Sequence, residues 1–110
     1  MSLQSSLAVI RLAGELDIGR RDEVREVFQL GAQPGPILVD FSDVPYADST
    51  VIAELMRFRS EADTAGRRIA VLIGQAQFAR LLQHAGLGEA VALFDERGAA
   101  LTYLAGGATA

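Results

Sequence analysis

Ile37-Leu38-Val39-Asp40-Phe41 is an apolar run of strand length, entered through Gln33-Pro34-Gly35-Pro36 and interrupted by one carboxylate. A strand with one wet face alternates apolar and polar residues, whereas a nearly continuous run marks a strand covered on both faces, as in an α/β sheet. The rest of the chain must then supply parallel neighbours and amphipathic helices.

The chain supplies both. Leu7-Ala-Val-Ile-Arg-Leu12 is rich in branched residues and reads as a short strand, followed by Gly14 and Glu15-Leu16-Asp17-Ile18. Val24, Val27 and Phe28 recur at helical spacing among charges, which predicts an amphipathic helix capped near Asp17 and ended by Gly31. After the central run, Val51, Ile52, Leu55, Met56, Phe58 and Ala62 form the broad stripe of a helix docked on a sheet, with Gly66 as its left-handed stop. Met56 and Phe58 on that stripe are core rather than a ligand box. Arg68-Ile-Ala-Val-Leu-Ile73 predicts a third strand, and Gln77–Ala85 a third helix with Phe78, Leu81, Leu82 and Ala85 on one face. Val91–Phe94 predicts a last strand, with Asp95 capping a final helix that uses Ala100, Leu101 and Leu104. Strands alternating with helices argue for one α/β domain with a largely parallel sheet. Residues 1–105 are expected to form it and 106–110 to be a frayed tail.

Composition narrows the function. The 110 residues are 50% hydrophobic and 22% charged, as in a compact globular domain. The net charge of −4 opposes binding to nucleic acid. With no cysteine and one histidine, His84, thiolate and multi-histidine metal sites are excluded. No basic segment leads into an apolar run at the start, and no stretch approaches the ~20 apolar residues that span a bilayer. The expectation is a cytoplasmic protein without direct membrane insertion.

The stretch most open to function is Val44-Pro45-Tyr46-Ala47-Asp48-Ser49-Thr50-Val51, where a strand turns into a helix through three oxygen-bearing residues. Aspartate, serine and threonine all cap helix starts, because their oxygens accept bonds from backbone N–H groups that lack partners within the helix. A hydrolase reading, with Ser49 as nucleophile and His84 as base, fits poorly: a nucleophile elbow wants glycine two residues either side, and Ala47 and Val51 stand there. Asp40, Asp43 and Asp48 suggest a metal or phosphoacceptor pocket of the receiver-domain kind, but such domains usually use a lysine and this chain has none. Asp43 reads better as a turn residue and Asp40 as a strand-end carboxylate. No glycine-rich phosphate loop is present either. With the hydrolase and receiver-domain readings both fitting poorly, neither a cofactor nor enzymatic activity is expected.

Three stretches carry a resemblance: Leu12-Ala-Gly-Glu-Leu-Asp17, Val39-Asp-Phe-Ser-Asp-Val-Pro-Tyr-Ala-Asp-Ser-Thr50 and Leu82-Gln-His-Ala-Gly-Leu87. In this order they resemble the STAS domain of bacterial anti-sigma factor antagonists. The resemblance implies a small, mixed but mostly parallel sheet packed against about four helices, with the first segment at one edge. It further implies that Ser49 is a phosphoacceptor, with Thr50 as second choice, and that the partner is a GHKL-type kinase that is also an anti-sigma factor. The unphosphorylated antagonist captures that partner and frees a sigma factor; the phosphorylated form lets go. Glu15, Asp17, Asp48, Ser49, Thr50 and Val51 are then expected at the partner-binding surface. The family commonly places glycine where this chain has Val51, and a β-branched side chain there is expected to alter kinase docking or to abolish phosphorylation. The alternative reading is a STAS subunit of a lipid-transport ATPase complex or a signalling scaffold, docking through the same helix start without phosphorylation.

Overall fold

The computed structural model describes residues 7–30, 35–84, 86 and 91–106. Four strands, β1 (Ala8–Ala13), β2 (Ile37–Asp43), β3 (Ile69–Ile73) and β4 (Ala92–Phe94), pair in the order β1-β2-β3-β4. Among the described residues all three ladders are parallel, in keeping with the mostly parallel sheet expected. The helices are α1 (Arg21–Leu30), α2 (Ser49–Thr64), α3 (Ala76–His84) and α4 (Arg97–Leu104).

Strand order explains where the helices lie. Right-handed crossovers that always advance in one direction put every connecting helix on the same face. Accordingly Val24 and Phe28 of α1, Val51, Leu55 and Phe58 of α2, and Phe78 and Leu82 of α3 share one core with Ile10, Val39, Phe41 and Val71. Phe28 and Phe58 stack with ring centroids 4.8 Å apart, joining α1 to α2. Such ring pairs add roughly 0.5–1.5 kcal/mol beyond the area they bury. The helix α4 covers the other face, where Ala100 and Leu104 pack on Leu38, Ala70 and Leu72. Neighbouring residues of β2 thus serve opposite cores, as the apolar run requires.

Asp17 is a cap, as expected: its Oδ1 accepts the Gly19 N–H at 3.0 Å at the head of a 3-10 turn, Ile18–Arg20, that leads into α1. Boundaries differ from expectation in two places. The cap position of α4 is Glu96, not Asp95, and its side chain makes no capping bond. Asp43 is the last residue of β2, so the turn begins after it. Gly66 has the expected left-handed backbone, φ +72°. The expected stop at Gly31 and residues 107–110 of the tail lie outside the described residues.

Asp40 is the one buried charged residue among those described, 2% exposed on the α4 side of the sheet. Its Oδ1 accepts the Ser42 hydroxyl at 2.6 Å and the Ser42 N–H at 3.0 Å. Its Oδ2 accepts from Arg97 Nη1 at 3.3 Å, with Arg11 Nη1 at 3.8 Å. Burial alone pushes this carboxyl up, but the two Ser42 bonds and the flanking guanidiniums outweigh it and hold the group below the usual carboxylate range. A depressed folded pKa contributes stability that is present above the unfolded value, near 3.9, and is lost as pH falls through the folded one. Urea midpoints should therefore fall below about pH 4, and Asp40→Asn should flatten part of that fall. An Asp40→Asn variant that keeps the full acid slope would remove Asp40 from this role.

Candidate functional site

Parallel strands deliver their following turns to one end of the sheet, the usual place for function in open α/β folds. Here the turn after β2 carries Ser49. Residues 14–17 leave β1 at the same end and run alongside it. Gly14 N–H donates to Asp43 O at 2.9 Å, Leu16 N–H to Tyr46 O at 2.9 Å, and Asp48 N–H to Leu16 O at 2.8 Å. Leu16 and Ala47 form an isolated parallel bridge and are buried together with Val44. The loop bearing Glu15 and Asp17 is thereby held beside the start of α2.

Arg20 fastens this loop from below. Its guanidinium donates to Ala13 O at 2.7 Å and Glu15 O at 3.2 Å, and grips both carboxylate oxygens of Glu23 at 3.0 and 2.8 Å. The shared hydrogen bonds raise the Arg20 pKa and lower that of Glu23. Gly14 turns above it with φ +82°, a backbone that side chains rarely adopt.

At the helix start, Asp48 is the N-cap, with φ −67° and ψ 154°. Its Oδ1 accepts the Thr50 N–H at 2.8 Å, and its carbonyl accepts from Ile52 N–H at 3.0 Å. Because Asp48 does the capping, Ser49 stands free at the first helical position. It is exposed, and its hydroxyl has no hydrogen-bond partner among the described residues. Thr50 is half-buried. Val51 differs from the other residues expected at a partner surface: it is 1% exposed and packs in the core between helices and sheet. Its branched side chain points inward, so it does not crowd the approach to Ser49.

Two apolar residues that sequence reasoning passed over flank this end, Ile18 at 62% exposed and Tyr46 at 46%. Their signal was faint: an isoleucine directly after a capping aspartate, and a tyrosine inside a polar turn. Exposed aromatic and aliphatic side chains beside hydrogen-bonding groups are common anchors in protein interfaces.

Other pairings are not assembled. His84 ends α3, which runs antiparallel to the strands and so closes at the opposite end of the sheet from Ser49. The Asp48 carboxylate caps α2 while Asp40 and Asp43 hold Arg11, and among the described residues no three acidic or imidazole groups converge as metal ligands. No helix among the described residues is long and apolar enough to cross a membrane. A groove of about 830 Å³ lies between the far ends of α1 and α2, lined by Arg25, Phe28, Glu54, Phe58 and Arg67. It sits at the starts of β2 and β3, away from Ser49.

Among the described residues, a parallel four-stranded sheet with three helices on one face and one on the other, and a capped, exposed helix start, define a small α/β domain. A family model described as "Mlab, STAS domain" matches residues 1–95, and the chain belongs to the STAS domain family. The fold is shared with a sulfate transporter family protein from Wolinella succinogenes, at 19% identity and a TM-score of 0.78, covering 94% of this chain and 88% of that one. A putative anti-sigma factor antagonist from Thermotoga maritima is similar at 19% identity and a TM-score of 0.75, covering 88% and 87%. The unphosphorylated anti-sigma factor antagonist SpoIIAA is similar at 20% identity and a TM-score of 0.62, covering 89% and 87%. At these identities the likeness is one of fold. Comparison with curated protein sequences returns no match.

Proposed function

We propose that this chain is a non-enzymatic anti-sigma factor antagonist, with residues 1–105 as its folding unit. In the cytoplasm it captures a GHKL-type anti-sigma kinase, so that a sigma factor is released. Phosphorylation of Ser49, with Thr50 as the second acceptor, switches it off. The observation that carries this reading is the division of labour at the start of α2: Asp48 caps the helix, leaving the Ser49 hydroxyl exposed and unbonded. A kinase can reach such a hydroxyl without unfolding the helix. Glu15, Asp17, Asp48, Ser49 and Thr50 form the contact surface, with Ile18 and Tyr46 as apolar anchors. Val51 serves this surface from beneath, by packing.

The test is incubation of the chain with ATP and the kinase encoded beside its gene, followed by mass spectrometric mapping of phosphate. Phosphate on Ser49 is the expected result. The switch fails if Ser49 and Thr50 both stay unmodified while the same kinase phosphorylates a control substrate.

A second reading is favoured by the family description, which names Mlab, and by the transporter-family neighbour. In it the same helix start docks, unphosphorylated, within a lipid-transport ATPase complex or a signalling scaffold. Co-purification of the native partner separates the two: an ATPase subunit supports this reading, and a small kinase supports the first.

A further inference from the structure

The sheet ends in β1, and among the described residues no strand pairs with its outer edge. Ala8 and Gly14 donate their N–H groups to Pro36 and Asp43 at 3.0 and 2.9 Å. Even-numbered residues of β1 therefore present their backbone groups to β2, and odd-numbered residues present theirs outward. One outward carbonyl, that of Ala13, is taken by Arg20 at 2.7 Å, and the pairing shifts register between Arg11 and Ala13. Among the described residues, the edge open to another strand is thus Leu7 to Arg11. Leu7 and Val9 on it are 39% and 46% exposed, and Val9 stands in register with buried Leu38, extending the apolar face under α4. The opposite edge, β4, is only three residues long, a common protection against strand addition.

We infer that this edge takes β1 of a second copy of the chain, antiparallel, with the two-fold axis at Val9. Val9 then faces Val9, and Leu7 of each copy faces Arg11 of the other. Self-pairing suits these residues because the Arg11 head is already held by Asp43 and Asp40 within its own chain, leaving its aliphatic stem to cover leucine. A parallel pairing in the same register would set Arg11 against Arg11 instead. The antiparallel ladder forms about six backbone hydrogen bonds across a small area, which makes a weak, concentration-dependent dimer.

Sedimentation equilibrium of the whole chain tests this between about 10 µM and about 1 mM, the range suited to an interface below standard size. The average mass should climb toward that of a dimer. Val9→Lys, a change at a half-exposed side chain that sets like charges opposite each other, should weaken dimerisation at least about tenfold without moving the melting temperature. As a fold-neutral check, Val9→Cys in this cysteine-free chain should be joined by a short bis-maleimide, whereas Asp63→Cys should not. A monomer throughout the range, or a dimer indifferent to Val9→Lys, overturns the inference. So does a monomer whose Val9 and Arg11 amides resist hydrogen exchange, because the edge would then be filled by the chain itself.

Discussion

A chain carrying phosphoserine at position 49 is expected to melt within a few degrees of the unmodified chain, yet to bind its partner at least about a hundredfold more weakly. The two halves of this expectation have different causes. Phosphate adds roughly −1.5 to −2 charges, and an anion at a helix N-terminus is stabilised by ~0.3–2 kcal/mol. Ser49 is exposed, and Asp48 already holds the Thr50 N–H, so the new group displaces no bond. At a docked interface the same group becomes a buried, poorly paired charge, costing on the order of 3–5 kcal/mol. The exposed carboxylates of Glu15 and Asp17, held nearby by the Leu16–Ala47 bridge, add repulsion. Differential scanning fluorimetry and isothermal titration calorimetry measure the two quantities separately. Ser49→Ala should keep binding and lose the response to kinase. Equal affinity of the phosphorylated and unmodified chains would end the switch proposal while leaving the fold and the docking surface untouched.

Gly74→Ala should destabilise the domain by roughly 2–3 kcal/mol, lowering the melting temperature by about 10 °C. Gly74 follows β3 directly, where its backbone passes close to Ser42 of β2. A Cβ there would overlap the Ser42 carbonyl oxygen and lie 3.1 and 3.2 Å from the Ser42 C and Cα atoms. Backbone cannot rotate away as a side-chain tip can, so the ends of β2 and β3 must part. That movement also strains the two Ser42 bonds to Asp40 and the turn that carries Ser49. Gly98→Ala is the control: it lies in α4 with nothing within 4 Å of its added methyl, and should gain ~0.5–1 kcal/mol from helix propensity. Equal melting temperatures for the Gly74 and Gly98 variants would show that the strand ends yield freely.

Much of the framework was legible because it depends on short-range patterns. The alternation of strand runs and helical stripes, the left-handed stop at Gly66 and a cap somewhere in Asp48-Ser49-Thr50 all follow from spacing and residue chemistry within a few positions, while in the structure the cap falls on Asp48. Expectations failed where two local solutions were close in energy. α4 begins one residue later than a cap at Asp95 would place it, and Asp43 closes β2 rather than belonging to the turn. Asp40 stood out as a carboxylate inside an apolar run. Nothing local pointed to Arg97, 57 residues further on, as one of the groups that neutralise it.

The start of α2 divides the two kinds of information most clearly. Residue order alone requires that a helix begin at Asp48-Ser49 and that its stripe face a sheet, since capping and periodicity act over one or two turns. Packing of the whole chain settles the rest: Val51 turns into the core, while Ile18 and Tyr46 stay exposed. The same packing lays Glu15 and Asp17 beside Ser49. That placement rests on backbone bonds between Leu16 and both Tyr46 and Asp48, which close a loop of about thirty residues containing α1 and β2.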